Sequence, residues 1–122
     1  VIALSLPYPP SANHLWTNAG KKQILTDKYR QWKSLAWSAI VDQRAGRLFK
    51  NTVPGHFSLM LLADRPDRRR RDISNTLKAT EDALVTAGVI EDDHLAERIT
   101  LAWSKRAPGK GAKVHITIEA AQ

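Results

Sequence analysis

The sequence predicts an α+β domain in which two main helices pack on one face of a small mixed β-sheet. Two periodicities and their order carry that prediction. Apolar residues alternate at spacing two around 2–6, 57–62, 99–103 and 114–118, and recur at helical spacing over 29–40 and 73–87. The resulting order is strand, helix, strand, helix, strand, strand, without internal repeats or long linkers, so one layer of helices has one sheet to cover. At 122 residues the chain is a single domain, 1–122, long enough for one modest core and too short for two.

Ile2, Leu4 and Leu6 fall on alternate positions, as in a half-buried strand, and Pro7, Pro9 and Pro10 end it because proline cannot donate to a ladder. The polar segment 11–22 is expected as a surface loop. Its Trp16 either folds back on the core or stands beside Lys21 and Lys22 as a base-stacking side chain. Thr26 is a helix cap, and Tyr29, Trp32, Ala36, Ala39 and Ile40 follow at helical spacing as far as Gly46. That stripe is a core face, and both Trp32 and Trp37 are expected to pack. Lys28, Arg30, Lys33, Arg44, Arg47 and Lys50 lie off it as a solvated face.

In 56–63, Phe57, Leu59 and Leu61 oppose Met60 and Leu62, and apolar residues on both faces fit a central strand. A second helix is expected over 73–87, capped by Asp72 and stopped at Gly88. Its buried stripe would be Ile73, Leu77, Thr80, Leu84 and Ala87, with Ser74, Lys78 and Glu81 in a polar column and Asn75 and Asp82 beyond. Ile99, Leu101 and Trp103 mark another strand, 105–113 a basic hairpin loop, and Val114, Ile116 and Ile118 the last strand.

Nineteen Lys and Arg against twelve Asp and Glu leave a net charge of +7, so a polyanion is the first partner to expect. The absence of cysteine excludes a disulfide framework and a thiolate metal site, and is compatible with a reducing cytoplasm. His14, His56, His94 and His115 lack the spacing of a zinc pair on a helix. The apolar opening is too short for a membrane span or a signal core, so no membrane partner is expected.

One stretch holds more charge than a fold requires. Arg68, Arg69, Arg70 and Arg71 run directly into Asp72, and a helix length later Glu91, Asp92 and Asp93 form an acidic knot. Adjacent guanidinium groups repel unless solvated or facing an anion, and phosphate matches their planar forks. Clustered carboxylates also repel, and a divalent cation is the usual relief. Each feature has a plainer reading: Asp72 as a helix cap, Asp92 and Asp93 as a turn after Gly88, and the outlying lysines as solubilising surface.

The run PDRRRRDISNTLKATEDAL, followed by AGVIEDDH, is similar to the signature of the RusA family of Holliday-junction resolvases, phage-associated endonucleases that cut four-way DNA junctions. The opening PYPPSANHLW and the basic turn before the first helix resemble that family too, so the likeness spans nearly the whole chain. It implies hydrolysis of DNA phosphodiesters with Mg2+, or Mn2+, by an intertwined homodimer. Such an enzyme resolves junctions in recombination and repair by paired symmetric nicks, in the cytoplasm of a bacterial host and from a phage or prophage gene. On the matching positions, Asp72, Asp92 and Asp93 would hold the metal. Lys78 would orient the scissile phosphate or stabilise transition-state charge, and Asn75 would fix water or a carboxylate. Arg68, Arg69, Arg70 and Arg71, with Lys21, Lys22, Lys105, Arg106, Lys110 and Lys113, would grip the DNA backbone.

One position departs from the pattern. Better-known members carry a second aspartate two residues after the first, where this chain has Ser74. Glu81, seven residues on in the same helical column, is a candidate substitute. Two further readings stay open: a branched-DNA-binding protein whose chemistry Ser74 has weakened, and a basic RNA-associated module in which the acidic residues are caps and turns. A helix over 73–87, at ~1.5 Å per residue, spans ~22 Å. Either the chain doubles back after Gly88, or a twofold partner supplies the missing carboxylates.

Overall fold

The alternation read along the chain becomes aligned rows across a sheet. The computed structural model describes residues 1–20, 22–46 and 52–121; Lys21, Arg47 and Lys50 lie outside them. The elements are β1 (Ile2–Pro7), β2 (Trp16–Ala19), β3 (Lys22–Leu25), α1 (Asp27–Ala45), β4 (Phe57–Ala63), α2 (Leu77–Thr86), β5 (Ala96–Trp103) and β6 (Lys113–Ala120). Four strands form the main sheet in the order β1-β6-β4-β5. Leu4, Ile116 and Leu61 lie side by side, as do Leu6, Val114 and Ala63, and all six are buried. The other face is more open, with Met60 45% exposed. Both helices contribute to the same core as the buried rows, so they cover one face of the sheet. The β4–β5 pair is parallel and the rest antiparallel, which makes the sheet mixed.

Helix α1 begins where its cap predicts: Thr26 Oγ1 accepts a hydrogen bond from the Tyr29 amide at 3.2 Å, and the helix ends at Gly46. Tyr29, Trp32, Ala36 and Ile40 are its buried stripe. The Trp32 indole donates to the Pro7 carbonyl at 2.9 Å, which ties the helix to the exit of β1. Trp37 does not pack as expected. It is 50% exposed, because one residue beyond Ala36 turns it about 100° away from the stripe. Gln43 reaches the outer edge of β1, where its side-chain amide accepts from the Ser5 N–H at 2.8 Å and donates to the Ser5 carbonyl at 2.7 Å.

Three other expectations change. The segment expected as a loop holds the first strand and the turn of an antiparallel hairpin, β2–β3, which runs on to Leu25, with Gly20 at φ +67° beside its turn. Its strands have four residues each, and their apolar residues, Trp16 and Ala19 on one and the adjacent Ile24 and Leu25 on the other, do not alternate. The second helix opens as a 3-10 turn over Ile73–Thr76 and becomes α-helical only at Leu77. Its buried residues are Thr76, Ala79, Thr80, Ala83, Leu84 and Ala87, whereas Ile73 and Leu77 are half-buried. Thr80, Leu84 and Ala87 are buried as expected, and the small residues Thr76, Ala79 and Ala83 complete the face in place of Ile73 and Leu77.

The basic segment 105–113 is not a hairpin loop, because β4 lies between β5 and β6. The segment instead crosses the C-terminal end of β4. Register then fixes what meets there: Pro7 pairs with Lys113, and Ala63 with both Trp103 and Val114. The proline-rich exit of β1, the arginine-rich exit of β4 and the basic loop after β5 all leave one end of the sheet. Among the described residues, no helix is long and apolar enough to cross a membrane.

Candidate functional site

Asp64, the first residue past β4, holds this end of the sheet together. It is 4% exposed and accepts hydrogen bonds from Ser104 Oγ at 2.6 Å and the Lys113 amide at 3.0 Å, with the His115 ring Nε2 3.2 Å away. The two ends of the basic loop are thereby clipped to one carboxylate. Burial pushes the Asp64 carboxyl up, but the Ser104, Lys113 and His115 contacts outweigh it and leave the group below its ordinary value. Arg65 lays its guanidinium 4.3 Å from the Trp103 ring centroid, and its carbonyl accepts from the Gly109 amide at 3.2 Å. Arg106 turns back on its own loop to donate to the Lys110 carbonyl. Lys105 and Lys110 are exposed.

The repulsion within the arginine run is relieved partly inside the chain. Asp67 receives Arg71 through Nε at 3.1 Å and Nη2 at 2.7 Å, and Arg69 through Nε at 3.1 Å. These forked bonds, Arg71 foremost, hold the Asp67 carboxyl well below the usual range and push the Arg71 guanidinium up. Arg68 and Arg70 are exposed. Arg71 also lies 5.9 Å from the Tyr8 ring centroid. Between the proline-rich exit, the start of α1 and the arginine run is an open cleft of about 550 Å³. Tyr8, Lys28, Arg70, Arg71, Asp72 and Asn75 are among the residues that line it, so the run, the first predicted carboxylate and Asn75 come together.

Asp72 caps the 3-10 turn: its Oδ1 accepts from the Ser74 amide at 3.2 Å and from Ser74 Oγ at 2.9 Å. The residue that departs from the family pattern is therefore bonded to the carboxylate it would have accompanied. Asp92 caps a second turn, Asp93–Leu95, by accepting from the His94 amide at 3.2 Å, with His94 Nδ1 2.9 Å away. The His94 ring, then its amide, then Asp93 bring the Asp92 carboxyl down to about 2.

After Gly88 the chain does double back. Val89 donates to the Leu84 carbonyl at 2.9 Å, and Asp93 lies close enough to act electrostatically on both Lys78 and Glu81. Glu81 is raised above its ordinary value by burial first and by the charge of Asp93 next. Lys78 pairs with Asp82 at 3.1 Å, and the other Asp82 oxygen accepts from the Tyr29 hydroxyl at 2.9 Å. Among the described residues, no three His, Cys, Asp or Glu side chains form a group able to hold a metal ion. The carboxylates of Asp72, Asp92 and Asp93 have the hard oxygen donors that Mg2+ takes, but a single chain does not gather them into one such group.

The family model of endodeoxyribonuclease RusA matches residues 7–119. The chain belongs to the RusA family. A crossover junction endodeoxyribonuclease of Enterobacteria phage HK97 is 32% identical over 112 residues, covering 92% of this chain and 90% of that protein. One from Escherichia coli strain K12 is 30% identical over 120 residues, 95% and 92% of the two chains. Another from Enterobacteria phage 82 is 30% identical over 116 residues, 94% and 91%. The RusA match includes the proline-rich exit, the arginine run, the cap at Asp72 and the acidic turn at Asp92. The residues alone gave no role to Asp64, Asp67 or Ser104, and placed Tyr29 in the core without its hydroxyl's bond to Asp82. Asp67 had a signal, an acid two and four residues before two of the arginines, whereas Asp64 and Tyr29 meet their partners only through the fold.

Proposed function

We propose that the protein is a metal-dependent endonuclease that resolves four-way DNA junctions, and that it works as a twofold dimer in the bacterial cytoplasm. The observation that carries this reading is the convergence of the arginine run, Asp72 and Asn75 in one cleft, at the sheet end where the basic loop also lies, in a chain of the RusA family. Arg68, Arg69, Arg70 and Arg71, with Lys22, Lys105 and Lys110, hold the DNA backbone; Arg106 shapes the loop from which two of those lysines project. Asp72, Asp92 and Asp93 would hold the metal, and a twofold partner would bring together the carboxylates that one chain leaves apart. Bound there, Mg2+ or Mn2+ supplies an activated water and a counter-charge for the departing oxygen. Lys78 steadies charge on the scissile phosphate, Asn75 orients a polar partner by hydrogen bonding, and Glu81 supplies the negative charge missing at position 74.

Incubation of an end-labelled four-way junction beside a linear duplex of the same sequence, with Mg2+, tests the reading. Paired symmetric nicks in the junction alone are expected; equal cutting of both substrates overturns the structure-specific assignment. The bond from Ser74 Oγ to Asp72 favours a second reading, a protein that grips branched DNA without cutting it. A gel shift without nicking across Mg2+, Mn2+ and Ca2+, at fixed ionic strength, selects that one.

A further inference from the structure

We infer that Tyr29 and Asp82 are positioning residues that aim the Lys78 ammonium. The inference rests on the proposed role of Lys78 at the scissile phosphate. Lysine carries its charge on a flexible four-carbon stem, and an exposed pair four residues apart on a helix does little to fix it. Lys78 and Asp82 have that spacing, and the Lys78 side chain is 52% exposed. What distinguishes this pair is the far side of Asp82. Its Oδ2 accepts from the hydroxyl of Tyr29 at 2.9 Å, leaving Oδ1 to meet Lys78 Nζ at 3.1 Å.

Tyr29 is immobile for reasons that have nothing to do with Asp82. It is fully buried, stacks on Trp32 at 6.3 Å and meets the edge of Trp16 at 6.3 Å. Rigidity therefore passes from an aromatic cluster of α1 and the β2–β3 hairpin, through one phenol and one carboxylate, to an ammonium on α2. The same contact is electrostatically favourable: the Asp82 hydrogen bond, then its charge, push the Lys78 ammonium above its ordinary value. A link serving only to join α1 and α2 would not need to end on a cation facing solvent.

Single-turnover cleavage of the junction by the full chain tests this. Tyr29→Phe removes one oxygen and is expected to slow cleavage about 5- to 20-fold, and Asp82→Asn about 10- to 100-fold, with junction affinity and melting temperature near wild type. The double variant Lys78→Met with Asp82→Asn is expected to be no slower than Lys78→Met alone, because a residue acting only through Lys78 has nothing left to aim. Additive losses, or a fall in affinity equal to the fall in rate, overturn the inference and leave a purely structural link. Wild-type rates in both single variants, with Lys78→Met inactive, overturn it while sparing the role of Lys78. Full activity in Lys78→Met removes the parent reading instead. Tyr29→Phe decides the question even where Asp82→Asn fails to fold.

Discussion

Asp64 and Asp72 bracket the arginine run, eight positions apart, and they are opposite kinds of carboxylate. Asp64 is buried, and its two oxygens meet Ser104, Lys113 and His115, partners 40 to 51 residues away. Asp72 is exposed, and the bonds it accepts from Ser74 both fall on Oδ1, from a residue two positions along. The first has committed its hydrogen-bonding capacity to the fold. The second caps a turn and still faces the cleft that the arginines line. Burial and long-range partners mark a carboxylate that holds structure; exposure and purely local partners leave one able to take a ligand.

Replacing each aspartate pulls the two roles apart. The largest effect is expected from Asp72→Asn: junction cleavage falls about 100- to 1,000-fold, the scale of losing one key electrostatic group. Thermal stability should barely move, since asparagine caps a helical turn as well as aspartate does. A drop in melting temperature with cleavage intact would reverse the assignment. Asp64→Ala should do the converse. It strands the Ser104, Lys113 and His115 groups and costs about 2–4 kcal/mol in urea unfolding. Loss of junction binding would follow through the unclipped basic loop, and unaltered stability would show that the clip is idle.

Ser74→Asp sharpens the comparison on the active side. Adding a carboxylate beside Asp72 should lower the Mg2+ concentration for half-maximal cleavage by roughly severalfold, and Glu81→Gln should raise it. Unchanged cleavage in Glu81→Gln removes Glu81 from the site. The smallest effect concerns acid. Because the Asp64 carboxyl lies below its ordinary value of 3.8 in the folded chain, its contribution to stability is present above about pH 4 and is lost as pH falls through the lowered value. Stability curves between pH 2 and 6 should therefore differ in slope between wild type and Asp64→Asn only at the acidic end.

The amphipathic elements were legible in the sequence because their burial is periodic. β1, α1, β4 and β6 stand where alternation or helical spacing put them. The β2–β3 hairpin was hidden because it has little apolar alternation, and Trp37 misled because a large aromatic suggests burial wherever it falls. The crossing of 105–113 over β4 could not be read locally: strand order is a long-range property, and two successive strands look the same whether they pair or straddle a third. The site divides in the same way. Asp72, Asn75 and the arginines are neighbours in sequence and meet in one cleft. The placement of Asp92 and Asp93 against Asp72 depends on how the chain returns after α2, which periodicity does not encode. Lys78 and Asp82 stand four residues apart, a spacing at which helical side chains meet, although a column count sets them in separate rows, and Tyr29 joins them from 53 positions earlier.

Gln43 has a consequence for how copies of this protein can meet. By bonding both the N–H and the carbonyl of Ser5, its side chain stands in for a neighbouring strand at the middle of β1. An incoming polypeptide would have to evict that amide before it could add to the sheet there, so that flank is shielded against fibre-like growth. Any extension of the sheet is directed to the β5 margin, away from α1.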